Sequence, residues 1–149
     1  MAKATSSLDV LIDLAEERLD IASRTLGHCR AEQQRCETQL QQIEHYLTQY
    51  RQGLNQLGMA GAPAKRFAQQ QAFIESLDST RKQQLIQLDA ACQRVERALI
   101  HWQEVKRETN AYDVLRKRRE QAALAREKRL DQRLMDEYAS RVRSVMSGT

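Results

Sequence analysis

The chain has 149 residues, with 30% charged and 5% aromatic side chains, five glycines and one proline. That composition suits a long thin seam between helices better than a round core, so the expected fold class is all-α and the expected organisation one domain over residues 1–149. No apolar run approaches the roughly 18 residues of a membrane span, and Asp9, Asp13, Glu16 and Glu17 stand where a secretory leader would need its apolar centre, so a soluble, cytoplasmic protein is expected.

The first element starts near Ser6 or Ser7, either of which can cap a helix, with Asp9 and Asp13 favourably placed for its dipole. Steps of four and three from Leu8 visit Ile12, Ala15, Leu19, Ala22, Leu26, Cys29, Gln33, Cys36, Leu40, Ile43, Leu47, Tyr50, Leu54 and Leu57, of which only Gln33 is polar. A repeat of 3.5 residues sustained this long predicts one strand of a left-handed coiled coil over about 6–57. Gly27 weakens the helix by about 1 kcal/mol without ending it.

The repeat stops at LGMAGAP, where Gly58, Gly61 and Pro63 mark a turn over 58–63, with Pro63 suited to the first position of the next helix. Helix two is expected over about 64–145. Its apolar series runs Leu88, Cys92, Val95, Leu99, Trp102, Val105, Thr109, Tyr112 and Leu115, and joining Ile74, Leu77, Leu85 and Leu88 to it requires a change of stripe. A short turn makes the helices antiparallel. Centring it near residues 60 and 61 sets residue i opposite residue 121 − i, which pairs Leu26 with Val95, Leu19 with Trp102, Cys29 with Cys92 and Leu8 with Asp113. Beyond about residue 116 helix two has no partner within the chain. The expected architecture is therefore an antiparallel two-helix coiled-coil hairpin with a longer, protruding C-terminal helix.

Cys29, Cys36 and Cys92 are an odd set, and the first two are separated by about 10 Å of helical rise, which suits small seam residues rather than a disulfide or a metal site. His28, His45 and His101 are isolated, and neither HExxH, GxxxxGK[ST] nor a nucleophile elbow occurs. No enzyme activity, cofactor, metal or small-molecule ligand is expected.

Residues 1–113 carry 14 basic against 15 acidic side chains and residues 114–149 carry 10 against 5, so the net charge of +4 resides in the last quarter. There LRKRREQAALAREKRL makes a charged arm whose apolar stripe, Leu124, Leu130, Leu134, Tyr138, Val142 and Val145, is more than a solvated helix requires. Acidic interruptions and the lack of a recognition fold argue against nucleic acid as the partner. On charge alone, Arg116, Arg118, Arg119, Arg126, Arg129 and Arg133 are the candidate docking residues of this arm.

A second constellation lies nearer the turn. Gln39, Ile43, Tyr46 and Tyr50 share one face of helix one, and Phe73, Leu77, Thr80 and Gln84 repeat that spacing on helix two. Such aromatics either close the seam or form an exposed anchor patch.

Across nearly its whole length the chain resembles the FliJ family of flagellar protein-export components. The resemblance lies in LIDLAEERLDIASRTLGHCR, HYLTQYRQGLNQLGMAG, RFAQQQAFIESLD, ALIHWQEVKRETNAYDVLRKRRE and REKRLDQRLMDEYASR, in that order and around the same turn. It implies a non-enzymatic hairpin like the central stalk of rotary ATPases, whose helix termini enter the hexameric ring of the export ATPase. It also implies contact with the cytoplasmic part of the export-gate membrane protein, escort of export chaperones, and peripheral association with the inner-membrane export apparatus. Residue by residue, the family's gate-contacting surface falls on Gln39, Ile43, Tyr46, Tyr50, Phe73, Leu77, Thr80 and Gln84. A chaperone-escort adaptor of an export or injectisome system is the next alternative, and a structural or nucleic-acid-binding coiled coil a remote one.

Overall fold

The computed structural model describes residues 6–148, and they form two α-helices, α1 (Ser7–Met59) and α2 (Ala64–Ser147). Ser6 caps α1 reciprocally: its hydroxyl accepts from the Asp9 N–H at 3.2 Å, and the Asp9 carboxylate accepts from the Ser6 N–H at 3.3 Å. Two of the otherwise orphaned amides of the first turn are thereby satisfied.

The end of α1 is fixed by Gly61, whose φ of 68° lies in the left-handed region that a Cβ disfavours. With Gly61 in that conformation, the Ala62 N–H reaches the Leu57 carbonyl at 3.1 Å and the Gly61 N–H reaches that of Gly58 at 3.4 Å, the double closure of a Schellman end. Pro63 stands one position earlier than its sequence suggests. Its carbonyl accepts from Arg66 and Phe67, so it caps α2 instead of forming its first helical residue.

Two compact units group the helices, and each pairs them antiparallel. The unit Leu19–Val105 is built on Ala22, Leu26, Cys36, Leu40 and Leu47 from α1 against Ile74, Gln84, Ala91 and Val105 from α2. The unit of Met1–Arg18 with Lys106–Thr149 sets Leu8, Ile12 and Ala15 against half-buried Thr109, Tyr112, Asp113 and Arg116. Every described seam position of α1 read from the heptads is buried or half-buried except Tyr50, which keeps 37% of its surface.

On α2 the stripe differs from the apolar reading. Ile74, Leu77, Arg81, Gln84, Leu88, Ala91, Val95, Ala98, Trp102 and Val105 face α1 in an unbroken four–three alternation, so no change of stripe occurs. Cys92 and Leu85 are exposed, and Cys29 is only half-buried. A search for large apolar side chains passes over Arg81, Gln84 and the two alanines. Alanine at Ala91, 1% exposed, brings the backbones close, and the Gln84 amide is satisfied across the seam.

The register is also shifted by about four residues. Ser23 rather than Leu19 meets Trp102, whose indole N–H donates to its hydroxyl at 2.9 Å, and Leu8 lies beside Arg116 rather than Asp113. Two effects add. The helices end at Met59 and begin at Ala64, which moves the midpoint beyond Gly61. Side chains also lean toward the N-terminus of their own helix by about one position, so on antiparallel helices the numbers of touching residues sum to about two more than those of level Cα atoms.

From Lys117 to Ser147 every residue of α2 is exposed. No helix among the described residues is long and apolar enough to cross a membrane.

Candidate functional site

Within the unit Leu19–Val105, the residues expected to contact the gate form a band at the seam's edge. Tyr50 and Phe73 meet edge to face, ring centres 4.8 Å apart, and retain 37% and 48% of their surface. Tyr46 is freer, at 51%, and touches the neighbouring His45 ring at 6.2 Å between centres. Ile43 and Leu77 are half-buried between the helices. Thr80 is exposed, but its hydroxyl donates to the Ser76 carbonyl of its own helix.

The two glutamines divide differently. Gln84 is 8% exposed, and its amide donates to the Cys36 carbonyl at 3.2 Å and to the Gln39 side-chain oxygen at 3.0 Å. Gln39 remains exposed. Gln84 is therefore a seam residue that holds Gln39 at the rim, and the outward-facing part of the band consists of Gln39, Tyr46, Tyr50, Phe73 and Thr80. Half-buried aromatics of this kind keep their ring position fixed by packing while offering apolar area to a partner.

On the other flank of the same seam lies a charged cluster that heptad reading did not pick out. The Asp78 carboxylate takes a hydrogen bond from Arg81 at 3.0 Å and faces Arg51 and Lys82 at 3.6 Å each. The Arg81 hydrogen bond, with the charges of Arg81, Lys82 and Arg51 behind it, holds Asp78 below the usual carboxylate range against a smaller opposing effect of burial. One acid against three cations leaves a positive spot. Its sequence signal was the spacing of Asp78, Arg81 and Lys82, which are helical neighbours.

In the other unit, the arm's arginines do not act as one set. Arg116 is half-buried and donates to the Asp113 carboxylate at 2.8 Å, a contact shared with Lys117 at 3.4 Å. It belongs to the end of the seam. Arg118, Arg119, Arg126, Arg129 and Arg133 instead fall within an arc of about 100° at 3.6 residues per turn. Arg126, Arg129 and Arg133 line a shallow surface hollow with Leu130. No carboxylate lies within ion-pair distance of these five among the described residues. Leu130, 57% exposed, borders this arc, and Leu134 at 62% and Tyr138 at 71% lead round to the other side of the helix. The arm is thus amphipathic, with a basic face ready for carboxylates or carbonyls and an apolar side that is exposed among the described residues.

An α-helical coiled-coil hairpin whose second helix overruns the first, with an aromatic band on one unit and a basic arm on the other, matches a known class. The chain fits the family described as "Flagellar FliJ protein" over residues 4–144. It is 38% identical over 135 residues to the flagellar FliJ protein of Salmonella typhi and 39% identical over 135 residues to that of Escherichia coli (strain K12), in both cases over 91% of this chain and 92% of the relative. The chain belongs to the FliJ family.

Proposed function

We propose that this protein is a non-enzymatic stalk of the flagellar export apparatus, which docks its C-terminal arm in the ring of the export ATPase and presents its aromatic band to the export gate. Membership of a flagellar family supports the setting. The observation that carries the reading is the arm: residues 117–147 are helical and exposed, and five arginines with no ion pair among the described residues share one face. A helix fixed at its base by the packed seam can enter a cavity without first ordering itself, which lowers the entropic cost of docking. The arginines then offer bidentate hydrogen bonds to carboxylates or carbonyls lining that cavity.

Adding the full chain to the export ATPase should raise its turnover and favour its hexamer. A chain ending at Arg116, which retains the whole buried seam, should not. Equal stimulation by the shortened chain refutes the docking arm. Tyr46→Ala should weaken capture of the gate's cytoplasmic part without changing ATPase stimulation; unchanged capture by that variant and by Phe73→Ala removes the aromatic band from the proposal.

A further inference from the structure

Gln84 and Gln39 meet across the seam of the unit Leu19–Val105, and the chemistry of their partners fixes which way each carboxamide is turned. The Cys36 carbonyl can only accept, so the Gln84 atom 3.2 Å from it is the Nε2 nitrogen. The same nitrogen lies 3.0 Å from the Gln39 side chain, so the Gln39 atom facing it must accept and is the Oε1 oxygen. Both amide protons of Gln84 are thereby used. The NH2 group of Gln39 is turned away from this bond at the exposed rim, and no acceptor among the described residues takes its protons.

A surface glutamine in water offers its oxygen or its nitrogen almost equally, because turning about its last bond exchanges them at little cost. Here the exchange would set the Gln39 nitrogen against the Gln84 nitrogen, donor against donor. Turning Gln84 as well would set its oxygen against the Cys36 carbonyl, which the helix holds in place. Thr80, also on the outward band, has the opposite polarity: its hydroxyl proton goes to the Ser76 carbonyl at 3.2 Å, which leaves only lone pairs for a partner. Donors at Gln39 and an acceptor at Thr80 complement the C=O and N–H of a peptide backbone. A carboxylate fits less well, since Tyr46, Tyr50, Phe73 and Thr80, the rest of the outward band, carry no charge to offset its desolvation.

We infer, resting on the reading of this band as the contact with the export gate, that Gln84 is a positioning residue that never touches the gate, and that it locks Gln39 to present its amide N–H groups to a backbone carbonyl of that partner.

Gln39→Glu separates the two sides of the carboxamide. A carboxylate oxygen still accepts from the Gln84 nitrogen, so the seam is kept, while the outward group changes from donor to acceptor with nearly the same shape. Tm should be unchanged. Titration calorimetry with the cytoplasmic part of the export gate should show binding weakened about tenfold or more, since lone pairs then oppose lone pairs. Gln84→Met keeps the bulk and removes the donors, and it should weaken binding about two- to tenfold, the cost of ordering a released side chain. In the free 15N-labelled chain the side-chain amide protons of Gln84 should exchange slowly with water and those of Gln39 fast, and adding the gate's cytoplasmic part should slow those of Gln39.

Binding that Gln39→Glu leaves unchanged or strengthens, while Tyr46→Ala weakens it, overturns the inference and leaves the gate reading standing. Gln39 amide protons already protected in the free chain do the same. Binding tightened about tenfold by Gln39→Lys would show a carboxylate in place of the carbonyl, which also overturns it. Binding indifferent to Tyr46→Ala, Phe73→Ala and Gln39→Glu alike overturns both the inference and the gate reading.

Discussion

Leu47 and Tyr46 are adjacent in sequence and occupy opposite sides of the packing boundary, so truncating each to alanine tests the seam directly. Leu47 retains 2% of its surface, whereas Tyr46 retains 51% and its ring meets that of the neighbouring His45. Leu47→Ala removes buried methyl groups and leaves a cavity between two rigid helices that cannot collapse without shifting every neighbouring layer. The expected cost is about 2–5 kcal/mol, and at this chain length that corresponds to a fall in Tm of roughly 5–15 °C. Tyr46→Ala loses only part of a half-exposed ring, and its cost should stay below about 1 kcal/mol. Thermal and urea unfolding followed by far-ultraviolet circular dichroism measures both, since unpaired helix is lost with the seam. Comparable destabilisation by the two variants would show that Tyr46 is packed as a seam residue. The division between core and presented face would then be wrong. Tyr50→Ala should fall between them, because the Tyr50–Phe73 contact adds about 0.5–1.5 kcal/mol beyond area alone.

Gln84→Leu removes two hydrogen bonds worth about 0.5–1.5 kcal/mol each, but strands no buried atom, because the Cys36 carbonyl keeps its helical partner and Gln39 reaches water. Leucine gains about 1.5–3 kcal/mol of apolar burial in return, so unfolding should show unchanged or raised stability; a loss above about 1 kcal/mol would contradict the seam assignment. Asp78 is held below its ordinary value of 3.8 in the folded protein, first by the Arg81 hydrogen bond, so the stability it contributes is present above that pH and is lost as pH falls through the lower folded value. Asp78→Asn should therefore flatten the decline in Tm below pH 3.8, and an unaltered acid limb would show that the cluster adds nothing. Ending the chain at Arg116 removes no buried or half-buried side chain among the described residues, so Tm should barely change while the helical signal falls in proportion to the length lost. A large drop in Tm would mean that the arm packs against the hairpin.

The all-α class, the break at Gly58–Pro63 and the α1 seam from Leu8 to Leu57 were legible because each rests on local information. A four–three apolar repeat needs only one helix to be visible, and a glycine in the left-handed region followed by a proline stops a helix wherever it occurs. The start of the exposed arm was legible too, since it follows from the unequal lengths of two helices joined by a short turn. The relation of the two helices was not. Sequence placed Cys92 and Leu85 on the seam by hydrophobicity, and the structure sets Ala91 and Gln84 there, because what faces α1 is decided by a continuous helical phase and by whether a polar group finds a partner across the interface. Gln84 could be recognised only through Cys36 and Gln39, 48 and 45 residues away.

The candidate residues divide on the same line. That Tyr46, Tyr50 and Phe73 share a face, and that the arm is basic, are properties of helical spacing and charge, which the sequence by itself determined. That Gln84 points inward, that Arg116 is held by Asp113 at the end of the seam, and that the other five arginines carry no ion pair among the described residues were decided by tertiary structure. The physical reason is that a lone helix makes every face equally available to water; only the second helix, at its particular register, removes one face and leaves the rest for a partner.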